Sequence, residues 1–267
     1  MKARLRALLN RFPRLKAVLK GVKRRMVPDD GVSTHYVELA GDQAGSESVR
    51  LRQAWQDDSL PARQRHLVDA ELAQFRSGTP VPVFDVLVRS LRDLTDGPAP
   101  FSLLEIGCSS GYYAEVMQIA NVPAQYTGCD YSAHFIAMAR ERYPERQFDV
   151  EDATRLRYDD AAFDVVVSGC CLLHIPEYAK AVAETARVAR RYVIFHRTPV
   201  VVGQPDKYYR KLAYGVETIE IHFNEPAFLA LLDRHGLERV ATHTLDETIR
   251  QGVGSASRTY VCRKKAT

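Results

Sequence analysis

No run of about 18 apolar residues occurs anywhere in the 267-residue chain, so no segment reads as a membrane-spanning helix. The five cysteines, Cys108, Cys129, Cys170, Cys171 and Cys262, form no C-x-x-C pair. That spacing argues against a zinc site or a disulfide framework and suits buried, reduced thiols in a cytoplasmic protein. Asp and His residues gather into no clear ligand cluster, and no metal is expected. The G-x-G-x-x-G spacing of dinucleotide-binding loops is missing too. Internal repeats and low-complexity tracts are absent. What remains is the composition of an ordinary globular protein, 46% hydrophobic and 26% charged, long enough for one large α/β domain with additions.

Acidic residues are absent from positions 1 to 25, which carry ten Lys or Arg. With a net charge of +4 overall, the remainder therefore sums to −6. Leu5, Leu8, Phe12, Leu15, Leu19, Val22 and Met26 recur at helical steps of three and four. Residues 1–28 thus read as a basic amphipathic arm interrupted by Pro13. Such an arm suits peripheral contact with an anionic membrane at its inner face, or docking on its own domain. A nucleic-acid partner is not expected, because the basic charge stays in this segment and no aromatic and basic platform follows.

Residues 29–46 read as a linker with an extended piece at 35–39. Residues 47–95 read as a helical cap with apolar stripes at Leu67, Val68, Leu72, Phe75 and at Phe84, Leu87, Val88, Leu91, Leu94, split by Pro80 and Pro82. The linker and cap together make up 29–98. From 99 onward strand-like segments (101–106, 125–129, 146–149, 163–169, 191–197, 237–243, 257–263) alternate with helix-like ones (111–120, 132–142, 177–190, 224–235). This alternation predicts an α/β, Rossmann-like, seven-stranded and mostly parallel sheet with helices on both faces. The segment 199–223 is longer than a simple connection and reads as an insertion on the substrate side.

One stretch carries the chemistry. The apolar run Phe101–Ile106 ends in Glu105-Ile106-Gly107-Cys108-Ser109-Ser110-Gly111, where a helix pattern begins. The E-x-G-x-x-x-G pattern resembles the first motif of class I S-adenosylmethionine-dependent methyltransferases, with Ser109 in place of the usual middle glycine. Asp130 follows 19 residues after Gly111, at the end of the second strand. Asp152 follows the third strand, and Phe163–Gly169 supplies the fourth, in the order that family shows. The resemblance implies S-adenosylmethionine as cofactor, an antiparallel last strand entered through a turn within 244–256, and a cofactor site of Glu105, Gly107, Ser109, Gly111, Asp130, Tyr131, Asp152 and Ala153. Loop N–H groups would meet the cofactor carboxylate, Asp130 the ribose hydroxyls and Asp152 the adenine amino group. An NAD(P)-dependent oxidoreductase and a non-catalytic scaffold of the same fold are the competing readings.

Methyl transfer to a hydroxyl needs a base, and histidine is the natural one. His174 follows the fourth strand, His196 ends the fifth, and His222 closes the segment after it; all three are candidate bases. Arg197, Tyr208, Tyr209 and Arg210 are candidate acceptor-binding residues, since tyrosines with cations suit a polyhydroxylated or anionic small molecule or glycan. The runs His196–Pro199, Tyr208–Lys211 and Ile221–Glu225 are similar to methyltransferases of bacterial surface polysaccharide synthesis. An oxygen acceptor is favoured because Ser168-Gly169-Cys170-Cys171 stands where an Asn-Pro-Pro-Tyr motif would signal amino-group methylation.

Overall fold

The computed structural model describes residues 33–94, 99–250 and 253–265. The basic arm 1–28 lies outside the described residues. Among the described residues no helix is long and apolar enough to cross a membrane.

Seven strands form the expected sheet: β2 (Phe101–Ile106), β3 (Ala124–Asp130), β4 (Gln147–Val150), β5 (Phe163–Gly169), β6 (Ala189–Val201), β9 (Leu237–Arg250) and β10 (Val253–Lys264). Their order is β4-β3-β2-β5-β6-β10-β9, with β10 antiparallel to both neighbours. β9 and β10 run through most of 244–256 and pair antiparallel there, Arg250 opposite Val253, so the last strand enters antiparallel as expected.

Period-2 alternation sorts the strand residues onto two faces. Leu103, Val165, Val167 and Ile194 join one buried cluster with α3 (Pro82–Leu94), α4 (Tyr112–Ile119) and α5 (Ala133–Arg142). Leu104, Val166, Val193 and Phe195 join the other, with α6 (Tyr178–Val188) and α7 (Glu225–Arg234). Because β2 and β5 are covered on both sides, their near-continuous apolar runs are what a central parallel strand requires. Truncating one such side chain, as in Phe195→Ala, removes roughly 3–5 kcal/mol of transfer and packing energy.

The cap consists of α1 (Gly41–Gln53), a 3-10 turn (Ala54–Gln56), α2 (Leu60–Arg76) and α3. Phe84, Leu87, Val88, Leu91 and Leu94 are all buried, as their spacing predicts, and Pro82 opens α3 where its missing N–H costs nothing.

Among the described residues there are ten strands rather than seven. β1 (Ser33–Leu39), β7 (Lys207–Ala213) and β8 (Val216–Asn224) form an antiparallel order β1-β7-β8. The linker's extended piece is therefore an edge strand, α1 already starts at 41, and the 199–223 insertion is a hairpin. Tyr214 (φ 49°) and Gly215 (φ 85°) make its two-residue turn, the positive-φ pair that matches strand twist. β8 joins β6 at Val200 and Val201, on the edge that β5 vacates after Gly169. The small sheet consequently sits over the C-terminal end of β5, beside the point where the chain order reverses between β2 and β5. Ligands of open α/β sheets bind at such a point.

Candidate functional site

A cavity of about 360 Å³ opens at that edge, walled by the β2 and β3 loops, the small sheet and the cap. On one side the chain leaves β2 through three left-handed residues, Gly107 (φ 75°), Ser109 (φ 48°) and Gly111 (φ 74°). A Cβ on Gly107 would lie 2.2 Å from the Cys171 Cβ, and one on Gly111 2.6 Å from the Phe148 ring. Ser109 is held by its N–H, which donates to Asp130 Oδ2 at 2.9 Å, while Ser132 N–H donates to Oδ1 at 2.9 Å. Burial pushes the Asp130 carboxyl up to about 6, against the pull of these N–H donors. It remains ionised at neutral pH, and a carboxylate, with about four acceptor sites, keeps capacity for a further donor.

Gly107, Ser109, Asp130, Tyr131 and Ala153 line the cavity. Glu105, Gly111 and Asp152 stand outside its wall. Glu105 is buried under the loop, where Tyr126 Oη donates to it at 2.5 Å and burial raises its carboxyl to about 8. Gly111 is a packing position against Phe148. Asp152 accepts from Thr154 N at 2.9 Å and pairs with Arg52 at 2.7 Å, so its carboxylate faces the cap. Arg52 also reaches Glu177 at 3.7 Å and lies 5.4 Å from the Tyr131 ring centre, and the Tyr131 hydroxyl donates to the Arg52 carbonyl. One cap residue thus ties the rims of β3, β4 and α6 together.

The other side is lined by Trp55, His174, Arg197, Lys211, Glu220 and His222, among others. Buried Glu220 receives His222 Nε2 at 2.7 Å, Lys211 Nζ, and Tyr36 Oη at 3.3 Å. Burial alone would raise its carboxyl, but the bonds from His222 and Lys211 outweigh that and hold it well below the usual carboxylate range. An ionised acceptor at Nε2 fixes the His222 tautomer and leaves Nδ1 as an acceptor. His174 turns Nδ1 to the Ile219 carbonyl, and its ring lies 4.6 Å from the Trp55 ring, tilted 50° to it. Burial, with Lys211 adding to it, lowers its pKa to about 3.

His196 is not in the cavity wall. Strand alternation sends it to the opposite face of β6, where it is buried, contacts Thr259 Oγ1 at 2.8 Å and packs 5.7 Å from the Tyr113 ring. Burial lowers its pKa to about 3. Tyr208, Tyr209 and Arg210 are also outside the wall: Tyr208 packs on the core, Tyr209 lies 4.9 Å from the His222 ring at a tilt of 60°, and Arg210 pairs with Glu217 at 3.6 Å. Only Arg197 of the four expected acceptor residues lines the cavity. Arg52, Trp55, Tyr36 and Glu220 went unread in the sequence, whereas Lys211 belongs to the Tyr208–Lys211 run singled out there. Glu220 and His222, two apart and hence on one strand face, are the one readable signal among them.

Residues 104–195 match the methyltransferase domain family. A probable S-adenosylmethionine-dependent methyltransferase of Mycobacterium tuberculosis is 38% identical over 88 residues, 33% of this chain and 31% of that protein. A phthiotriol/phenolphthiotriol dimycocerosates methyltransferase of Mycobacterium leprae is 34% identical over 93 residues, 33% of each chain. The chain spans about a third of the length of these curated relatives. The fold is also that of the 1,6-didemethyltoxoflavin-N1-methyltransferase of Burkholderia thailandensis, solved with 1,6-didemethyltoxoflavin and S-adenosylhomocysteine. That match has a TM-score of 0.56 at 17% identity and covers 90% of this chain and 99% of the other.

Proposed function

Residues 104–195 being a methyltransferase domain, we propose that the protein transfers a methyl group from S-adenosylmethionine to a hydroxyl of a sugar or other hydroxylated acceptor. The observation that carries this reading is one continuous cavity joining the Gly107–Asp130 loop pair to the Glu220–His222 pair. The Asp130 carboxylate accepts from vicinal hydroxyls, an acceptor that suits ribose. Tyr131, Phe135 and Ala153 give a partly apolar wall beside it for an adenine ring. When bound, the cofactor supplies an electrophilic methyl on a positively charged sulfur.

The chain's own work is then positioning and proton transfer. His222 Nδ1 accepts the proton of the acceptor hydroxyl, and Glu220 stabilises the imidazolium through Nε2–H. His174 is a poor base, being held neutral by burial with its Nδ1 at the Ile219 carbonyl, and is given a bordering role. Trp55, Tyr36 and Tyr214 present rings to the cavity, which suits the apolar faces of a sugar. The relative named for phthiotriol points toward a hydroxylated acceptor as well. The basic residues 1–25 extend the proposal to a lipid-linked glycan at an anionic membrane face.

Calorimetric titration with S-adenosylhomocysteine, with NADH as control, tests the reading. Micromolar binding that Asp130→Ala abolishes is expected. Binding of NADH in its place would return the protein to the oxidoreductases.

A further inference from the structure

The three Lys or Arg side chains in the cavity wall differ in one respect. Arg52 is paired with Asp152 and Glu177, and Lys211 with Glu220. Arg197 forms no ion pair among the described residues. The groups whose charges bear on it are the Cys170 thiol and the hydroxyls of Tyr113, Tyr112 and Tyr214. Burial pushes all three hydroxyls up, Tyr214 to about 12, so they stay neutral beside the cation. Arg197 is partly buried in this wall; a guanidinium held there without a counter-ion is costly, and its five donors call for an oxyanion.

The backbone is shaped around this side chain. β6 and β10 slip register between Phe195 and Thr198, so that two residues, His196 and Arg197, oppose Thr259 alone. Arg197 takes φ 59° in this bulge. On the adjacent strand, directly after the Gly169–His196 pair, Cys170 takes φ 60°. Neither is a glycine, so both pay for a left-handed conformation that bulges use to re-aim side chains. Non-glycine residues in such conformations cluster at functional sites. The cofactor determinants lie on β2, β3 and β4; Arg197 lies on β6, on the far side of β5. That places it at the acceptor end.

We propose that Arg197 is an anion clamp for the acceptor: the methylated molecule carries a carboxylate or phosphate that docks on this guanidinium while its hydroxyl meets His222. The inference rests on the methyltransferase reading for what the anion belongs to, and its test separates the two.

Wild-type protein and the variants Arg197→Gln and Arg197→Lys are each saturated with S-adenosylhomocysteine and titrated with inorganic phosphate and, separately, with acetate. The wild type is expected to bind one of the two, and which one assigns the anion. Arg197→Gln should weaken that binding at least tenfold and Arg197→Lys by less, because the charge is kept and the fork lost. S-adenosylhomocysteine affinity should stay within threefold of wild type in both. Failure of the wild type to bind either anion below about 50 mM overturns the proposal without reference to any variant. So does a tenfold loss of S-adenosylhomocysteine affinity in Arg197→Gln, which would assign the residue to the cofactor. If the wild type fails to bind S-adenosylhomocysteine, the methyltransferase reading falls, and the same titrations without it still decide whether Arg197 holds an anion.

Discussion

Glu105 gives the most quantitative test of the loop's construction. Its carboxyl is buried beneath the β2 turn with Tyr126 Oη as partner, and burial moves it from 4.5 to about 8. An acid whose folded pKa is raised binds its proton more tightly folded than unfolded. Its contribution to stability is therefore fully present below pH 4.5 and drains away as pH rises toward 8. Between pH 5 and pH 7 that loss is about 2.5 kcal/mol, since each unit of separation is worth about 1.4 kcal/mol. Glu105→Gln keeps the shape and the acceptor for Tyr126 but carries no titratable proton. Urea unfolding of both proteins at pH 5, 6 and 7 measures the difference. The variant should be no more stable than wild type at pH 5, owing to one poorly satisfied amide N–H of about 1 kcal/mol. It should overtake wild type by pH 7, by roughly 2 kcal/mol. Groups shared by both proteins, Asp130 included, largely cancel in the comparison. Parallel pH profiles would refute the reasoning, because they would mean that Glu105 is not held protonated. S-adenosylhomocysteine binding should survive the substitution, since Glu105 is outside the cavity wall.

Three further outcomes follow from the geometry. Gly107→Ala places a Cβ 2.2 Å from Cys171 at φ 75°, and thermal unfolding should show a loss of at least about 2 kcal/mol. Cofactor affinity should track the ionisation of Asp130: constant above pH 7, then about tenfold weaker per unit as pH falls below about 6, with Asp130→Asn flat and weak across the range. Glu220→Gln should lower the rate of labelled methyl transfer to hydroxylated acceptors by about 10- to 100-fold while leaving S-adenosylhomocysteine affinity within threefold. Unchanged transfer would remove His222 as the base.

The sequence by itself determined the central sheet and the meeting of Gly107, Ser109 and Asp130 at one wall of the cavity. Its information there is local: apolar runs too continuous for any but a doubly covered strand, glycines where φ must be positive, and a carboxylate at a strand end. Gly107, Ser109 and Asp130 belong to two adjacent strands joined by one helix, so their meeting follows from the alternation alone. The same local reading put His196 at the cavity, because it fixes which strand end a residue occupies and leaves open which face of the strand looks onto the cavity. It also counted Asp152 as an adenine acceptor without its cap partner Arg52, 100 positions away in the chain. The opposite wall of the cavity was decided only in three dimensions. Tyr36 comes from β1, Trp55 from the cap, Arg197 from β6, and Glu220 and His222 from β8. Only the pairing of β1 with β7 and of β8 with β6 brings them together. Those pairings are non-local, and no period in the chain encodes which distant edge a strand will meet.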